Sequence, residues 1–275
     1  MNENTLKLIL SFIFLAFISM PVFTFSLLDY EQGKKNELLE HQILEKELVK
    51  QKEKEQKIYL MGQFEPAERD DFLAVPAEYN VGEYKMYLKE ETLEAFLKMR
   101  EAAEKDKVDL KIASATRNFI YQKNIWNNKW NGIILVDGKN LSKSTPSGLE
   151  RFQKILEYSA VPGTSRHHWG TDVDINDANP EYFDEEKGKK EYVWLVQNAS
   201  KFNFCQPYNL KSSERSTGYN EEKWHWSYLP LARGFTQEYK KIITEEDIKG
   251  FFGDENVSAL DLINNYVLAI NPECL

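Results

Sequence analysis

Ser165-Arg-His-His-Trp-Gly-Thr-Asp-Val-Asp174 and, further along, Glu222-Lys-Trp-His-Trp226 hold three of the four histidines of this 275-residue chain. Two imidazoles and one carboxylate form a common ligand set for a hydrolytic zinc, whose fourth position stays open for water. Such an ion lowers the pKa of water to about 7 and polarises a carbonyl. A carboxylate outside the ligand set then takes the proton. His167 and Asp174 are seven positions apart, which an unbroken strand sends to opposite faces. Gly170 relieves this if His167 lies in a loop and a strand begins near Thr171. Glu222 and His225, three apart, likewise need a turn or bulge between them to face one ion.

Around these segments, periodicity predicts helices over Glu91–Ala103, Asn118–Trp130, Gly148–Tyr158 and Glu191–Phe202, and helical segments over Thr244–Phe252 and Ala259–Ile270. Strands are expected over Val108–Ile112, Gly170–Ile175 and Trp224–Tyr228. Helices mixed with short strands in this order indicate α+β: a small antiparallel sheet carrying the metal site, flanked by helices. Trp169, Trp224 and Trp226 read as core or cleft walls.

The run Leu8–Leu28 carries no charge over 21 residues, enough to cross a bilayer, so residues 1–28 are expected to be a signal peptide or a membrane anchor. Residues 29–57 are rich in Glu, Lys and Gln, with a narrow stripe of Leu39, Ile43, Leu44 and Leu48, and read as a charged helical stalk. The folded domain is expected over 58–275. With 44 acidic against 35 basic residues the net charge is −9, which gives no basic surface for a phosphate backbone and excludes nucleic acid as a partner. Cys205 and Cys274 leave two readings, a disulfide in an oxidising compartment or two buried thiols.

The spacing Ser-x-His-x-x-Gly-x-x-x-Asp, followed by Glu-x-Trp-His, resembles the VanY-type D-alanyl-D-alanine carboxypeptidases of the wider lysostaphin, D-Ala-D-Ala peptidase and hedgehog zinc fold. Ser114-Ala-Thr-Arg117-Asn-Phe-Ile-Tyr-Gln122 is similar to that family's Ser-Gly-Tyr-Arg-Ser stretch with its following Gln, and the three elements span residues 114–226 in family order. The resemblance implies zinc on His167, Asp174 and His225, and Glu222 as general base. It implies that Arg117, with Gln122 and Ser165, holds the substrate. A guanidinium suits that work, since its bidentate fork fits a terminal carboxylate. Asp172 stands where the family usually has a small apolar residue and is open to two readings, an acid supporting the site or a ligand competing with Asp174. His168 reads as a hydrogen-bonded support rather than a ligand.

Serine and nucleotide chemistries find no footing: there is no Gly-x-Ser-x-Gly, no Ser-x-x-Lys, no P-loop and no Gly-x-Gly-x-x-Gly. The function implied is a zinc carboxypeptidase, exported and tethered by its N-terminus, that removes terminal D-alanine from peptidoglycan stem peptides. An endopeptidase of the same fold and a non-catalytic wall-binding module are the alternatives.

Overall fold

The computed structural model describes the backbone of residues 3–275 other than 83 and 147, and side chains from residue 30 onward. Two units result, residues 1–54 and 55–275. From Glu3 onward the first lies within helix α1 (Glu3–Leu60), where Leu39, Ile43, Leu44 and Leu48 of the expected stripe are exposed among strong helix formers. Among the described residues no helix is long and apolar enough to cross a membrane. The apolar run Leu8–Leu28 falls outside the residues whose side chains are described.

The second unit opens with a hairpin of β1 (Phe72–Ala74) and β2 (Tyr87–Lys89). Helix α2 (Glu90–Lys105) follows and buries Leu93, Phe96, Met99 and Ala103 along one face, as its spacing predicts. A four-stranded antiparallel sheet has the order β3 (Ile112–Ser114), β4 (Asp172–Ile175), β6 (His225–Tyr228), β5 (Phe204–Cys205). Its two faces differ. Val173, Ile175 and Trp226 enter a core with Phe96, Met99, Leu110 and Trp194, below α2 and α6 (Glu186–Asn198). The alternate residues Asp172, Asp174, His225 and Ser227 point the other way. A second core covers that side, built on α3 (Phe119–Trp130), the single turn α4 (Leu141–Ser144), α5 (Gly148–Leu156) and α7 (Leu229–Ile242). The polar face is therefore buried, and its groups need partners.

Several expected boundaries move. The strand expected over Val108–Ile112 pairs only from Ile112, opposite Ile175, and reaches Ser114 through a register shift. Val108 and Leu110 still alternate into the core, but Lys111 is bound by Asn176 instead of by a ladder: its N–H reaches Asn176 Oδ1 at 2.7 Å. The helix expected at Glu191 starts earlier, at Glu186, and ends in a 3₁₀ turn to Phe202. The C-terminal helices are short 3₁₀ turns and one π turn (Ile263–Val267). Gly250 and Gly253, both at positive φ, interrupt the first, and the buried spacing Val257, Leu262, Val267 follows a five-residue period. Cys205 and Cys274 form a disulfide with Cα atoms 5.7 Å apart, which resolves the two readings in favour of the bridge.

Candidate metal centre and active site

The centre is built on the 3₁₀ turn Arg166–Trp169, which Gly170 closes in the left-handed conformation at φ +76°. Any Cβ on Gly170 would sit 2.4 Å from the Phe72 ring. Trp169 is fully buried; its indole N–H donates to Leu60 O at 3.1 Å, and the Tyr59 hydroxyl donates to Trp169 O at 2.6 Å. The end of α1 thus pins the turn. His168 accepts the Gly163 N–H at Nε2 (3.0 Å) and donates from Nδ1 to Arg117 O. Burial pushes its pKa down to about 3, so it is a neutral brace whose two nitrogens are both occupied.

His167 points the opposite way. Its Nδ1 lies 2.8 Å from Ala115 O, which leaves Nε2 as a lone pair aimed at the cleft. Asp174 and His225 are direct cross-strand partners on β4 and β6. His167 Nε2 is 3.2 Å from Asp174 Oδ1, and His225 Nδ1 is 3.5 Å from the same oxygen. The three ligand atoms lie within 4.8 Å of one another. His167 Nε2 and Asp174 Oδ1 are buried without a hydrogen-bond partner, at a usual cost of about 1–3 kcal/mol each. A cation shared by the three would satisfy both orphans, so the donor set fits a divalent metal such as zinc. The strand parity conflict is resolved as Gly170 allows: His167 precedes the strand, and β4 begins at Asp172.

Glu222 reaches the same place from the turn before β6, where the His225 N–H meets Glu222 O at 3.3 Å. Tyr208 O and the Gln206 amide hold its backbone, and its Oε2 lies 3.2 Å from His225 Nδ1. Burial raises its pKa, against the hydrogen bond from His225. Burial also works against charge on His225, but hydrogen bonds to Asp172 and Glu222 outweigh it and hold the imidazole up at about 9. Asp174 is held well below the usual carboxylate range: burial opposes this, and His167 and Arg117 prevail.

Arg117 stands two residues before α3, whose N-cap Asn118 accepts the Tyr121 N–H at 2.8 Å. Its backbone N–H donates to His167 O at 3.2 Å, and its carbonyl receives His168, so the turn fixes its position. Nη1 lies 3.2 Å from Ser114 Oγ and 3.5 Å from Asp174 Oδ2, while Nε is buried without a partner. Gln122, one turn into α3, donates to Ala160 O at 2.7 Å and leaves Oε1 buried and unpaired. A cavity of about 590 Å³ is lined by all seven residues singled out in the sequence: Arg117, Gln122, Ser165, His167, Asp174, Glu222 and His225.

Of the cavity residues that the sequence reading did not single out, three bear on its chemistry. Tyr208 and Tyr219 form an edge-to-face pair that continues onto His225. Lys129 donates to Ser159 Oγ, and burial, then Arg117, lowers its pKa. Its spacing was the available signal, since it lies seven residues after Gln122 on the same helix face. Asp172 is not part of this cavity's lining and bonds Arg166 and His225.

Residues 85–231 match the family described as VanY, D-alanyl-D-alanine carboxypeptidase. An uncharacterised protein of Haemophilus influenzae is 32% identical over 125 residues, covering 41% of this chain and 91% of that one. The putative carboxypeptidase YodJ of Bacillus subtilis is 27% identical over 197 residues, 69% of this chain and 61% of its own length. A D-alanyl-D-alanine carboxypeptidase of Enterococcus faecalis is 33% identical over 87 residues, 32% of this chain and 31% of its own. Among solved structures, a vancomycin resistance D,D-pentapeptidase VanY in complex with Zn(II) aligns with TM-score 0.44 and 24% identity, over 64% of this chain and 94% of that one. The LdcB LD-carboxypeptidase aligns with TM-score 0.46 and 25% identity, over 68% and 81%. With the family match covering more than half its length, the chain belongs to the VanY D-alanyl-D-alanine carboxypeptidase family.

Proposed function

We propose that the chain is a zinc-dependent carboxypeptidase that removes a terminal D-alanine from peptidoglycan stem peptides, at a D,D- or an L,D-bond. One observation carries this reading: the triad His167, Asp174 and His225, the carboxylate of Glu222 and the guanidinium of Arg117 meet in one cavity. Arg117 takes the substrate's terminal carboxylate on donors its own neighbours leave unused, with Ser165 and Gln122 on the same wall. Zinc, when bound, would polarise the scissile carbonyl and acidify the attacking water. Glu222 accepts that water's proton and returns it to the leaving amine. Its burial keeps it basic enough for the first transfer and acidic enough for the second. Tyr208, Tyr219 and Trp224 wall the cavity and limit bulk water around the reacting bond.

In this reading residues 1–28 anchor the chain in, or direct it across, a bacterial membrane. Residues 29–57 are the stalk, and 58–275 the peptidase acting on the wall outside the cytoplasm. The test is to incubate the full chain with muropeptides ending in D-Ala-D-Ala or in a single D-Ala and to weigh the products. Loss of one alanine, abolished by Glu222→Ala and by a chelator and restored by zinc, is the expected result; the substrate consumed reports the bond cleaved. Internal cleavage would replace it with the endopeptidase, and intact substrates beside bound zinc would refute catalysis on these peptides.

A further inference from the structure

One carboxylate on the buried face of the sheet has no part in the reaction just described. Asp172 is 0% exposed and accepts four hydrogen bonds. Its Oδ2 receives Arg166 Nε at 2.9 Å and His225 Nε2 at 2.9 Å. Its Oδ1 receives Thr171 Oγ1 at 2.7 Å and Ser227 Oγ at 2.9 Å. A carboxylate offers about four lone-pair sites, so none is left over for a metal. This decides between the two readings of the residue, because a carboxylate filled by protein donors does not compete with Asp174 as a ligand.

Asp172 has only acceptors to offer, so the hydrogen on its contact with His225 belongs to Nε2. The lone pair of the neutral ring therefore lies on Nδ1, the nitrogen 3.5 Å from Asp174 Oδ1. His167 shows the mirror arrangement, with Nδ1 tied to Ala115 O and Nε2 facing the centre. A backbone carbonyl holds one imidazole and a carboxylate holds the other.

Arg166 makes the second holder tolerable. It is 1% exposed, and its other donors are used on Thr236 Oγ1 (2.9 Å) and Ser227 Oγ (2.8 Å), with the guanidinium stacked 4.7 Å over the Trp169 ring. A buried carboxylate without this partner would be strongly destabilising. The two residues sit at either end of the turn that carries His167, one at its start and the other two residues beyond its closing glycine.

We infer that Asp172, neutralised and aimed by Arg166, is the positioning residue of the metal centre: it fixes the tautomer and rotation of His225 and strengthens its Nδ1 as a donor to the ion. The inference rests on the reading of His225 as a metal ligand.

The test measures Zn²⁺ affinity of the full-length protein by competition with a chelating dye, and reads the tautomer of His225 by long-range ¹H–¹⁵N NMR. Wild type is compared with Asp172→Asn, with the double variant Arg166→Met/Asp172→Leu, and with Asp174→Asn. Asp172→Asn keeps the shape and removes the charge; the double variant removes the buried pair together, so that neither charge is stranded. Asp172→Asn should weaken Zn²⁺ binding by about 10–100-fold. In the double variant the Nε2–H signal held against exchange in wild type should be lost and the ring should populate both tautomers. A purely structural role would lower the melting temperature of the metal-free protein and leave the affinity of the folded fraction unchanged. Wild type that binds Zn²⁺ alongside both variants binding within threefold of it would overturn the inference. Wild type that fails to bind Zn²⁺, or Asp174→Asn that binds normally, would instead overturn the metal-site reading beneath it.

Discussion

Replacing Arg117 with alanine tests the role proposed for it in holding the substrate's terminal carboxylate. The guanidinium touches Ser114 Oγ at 3.2 Å and approaches Asp174 Oδ2 only to 3.5 Å, and its Nε is buried without a partner. Its donors are thus largely uncommitted. A lost hydrogen bond to a charged group costs about 1.5–3 kcal/mol. At about 1.36 kcal/mol per factor of ten, kcat/KM for release of D-alanine from a free-acid peptide should fall roughly 13–160-fold. The same peptide with its C-terminus amidated offers no carboxylate, so wild type and Arg117→Ala should cleave it at similar low rates. The difference between the two peptides, measured in both proteins, gives the coupling between guanidinium and carboxylate. Zinc content must be determined in the same samples, because Arg117 also approaches Asp174, a ligand in the proposed function. Equal losses on the acid and the amide, or a loss that tracks zinc content alone, would refute the assignment.

Glu222→Gln should lower kcat by about 10²–10⁴-fold while zinc stays bound and KM changes little. Burial raises the pKa of Glu222, so in wild type kcat/KM should fall as pH drops through that raised value, and this acid limb should be absent from the residual activity of the variant; pH–rate profiles test both. Gly170→Ala forces a Cβ onto a backbone at φ +76° and against Phe72, a strain of about 1–3 kcal/mol. The thermal midpoint should fall by about 2–4 °C for each kcal/mol, and an unchanged midpoint would contradict the close packing described. Cys205 and Cys274 lie 69 residues apart. Opening that loop should cost about 4.4 kcal/mol on loop-closure entropy, seen as a lower urea midpoint for Cys205→Ala/Cys274→Ala.

The candidate site was legible because most of its residues lie close together in sequence. Seven residues bring His167 and Asp174 into one motif, and the demands placed on Gly170 and on the Glu222–His225 turn are the ones the backbone meets. Arg117, Gln122 and Ser165 line the cavity with them. What stayed hidden is set by tertiary pairing. Nothing in the sequence says that Asp172 will lie 2.9 Å from an imidazole 53 residues away. The helices of the central region stood out because their apolar residues recur on one face, as Leu93, Phe96 and Met99 do. The C-terminal region misleads for the converse reason. Its apolar spacing is close to helical, but Gly250 and Gly253 and the π turn break the chain into short pieces. Helix α7 went unforeseen because Pro230 and Gly234 argue against a helix, although proline in a first turn gives up no hydrogen bond.

The joint between the long first helix and the turn bearing His167 sets where this protein can be cut. Tyr59 and Leu60 each hold a group of Trp169, and the Gly62 carbonyl receives Phe119 N–H two residues beyond Arg117. A protease that clips the chain ahead of residue 55 would shed a unit that keeps every one of these supports. A clip only a few residues later, at Met61, would sever the supports from within and release a fragment whose histidine turn has lost its brace. Cuts about two helical turns apart therefore have opposite consequences, one leaving the histidine turn braced and the other not.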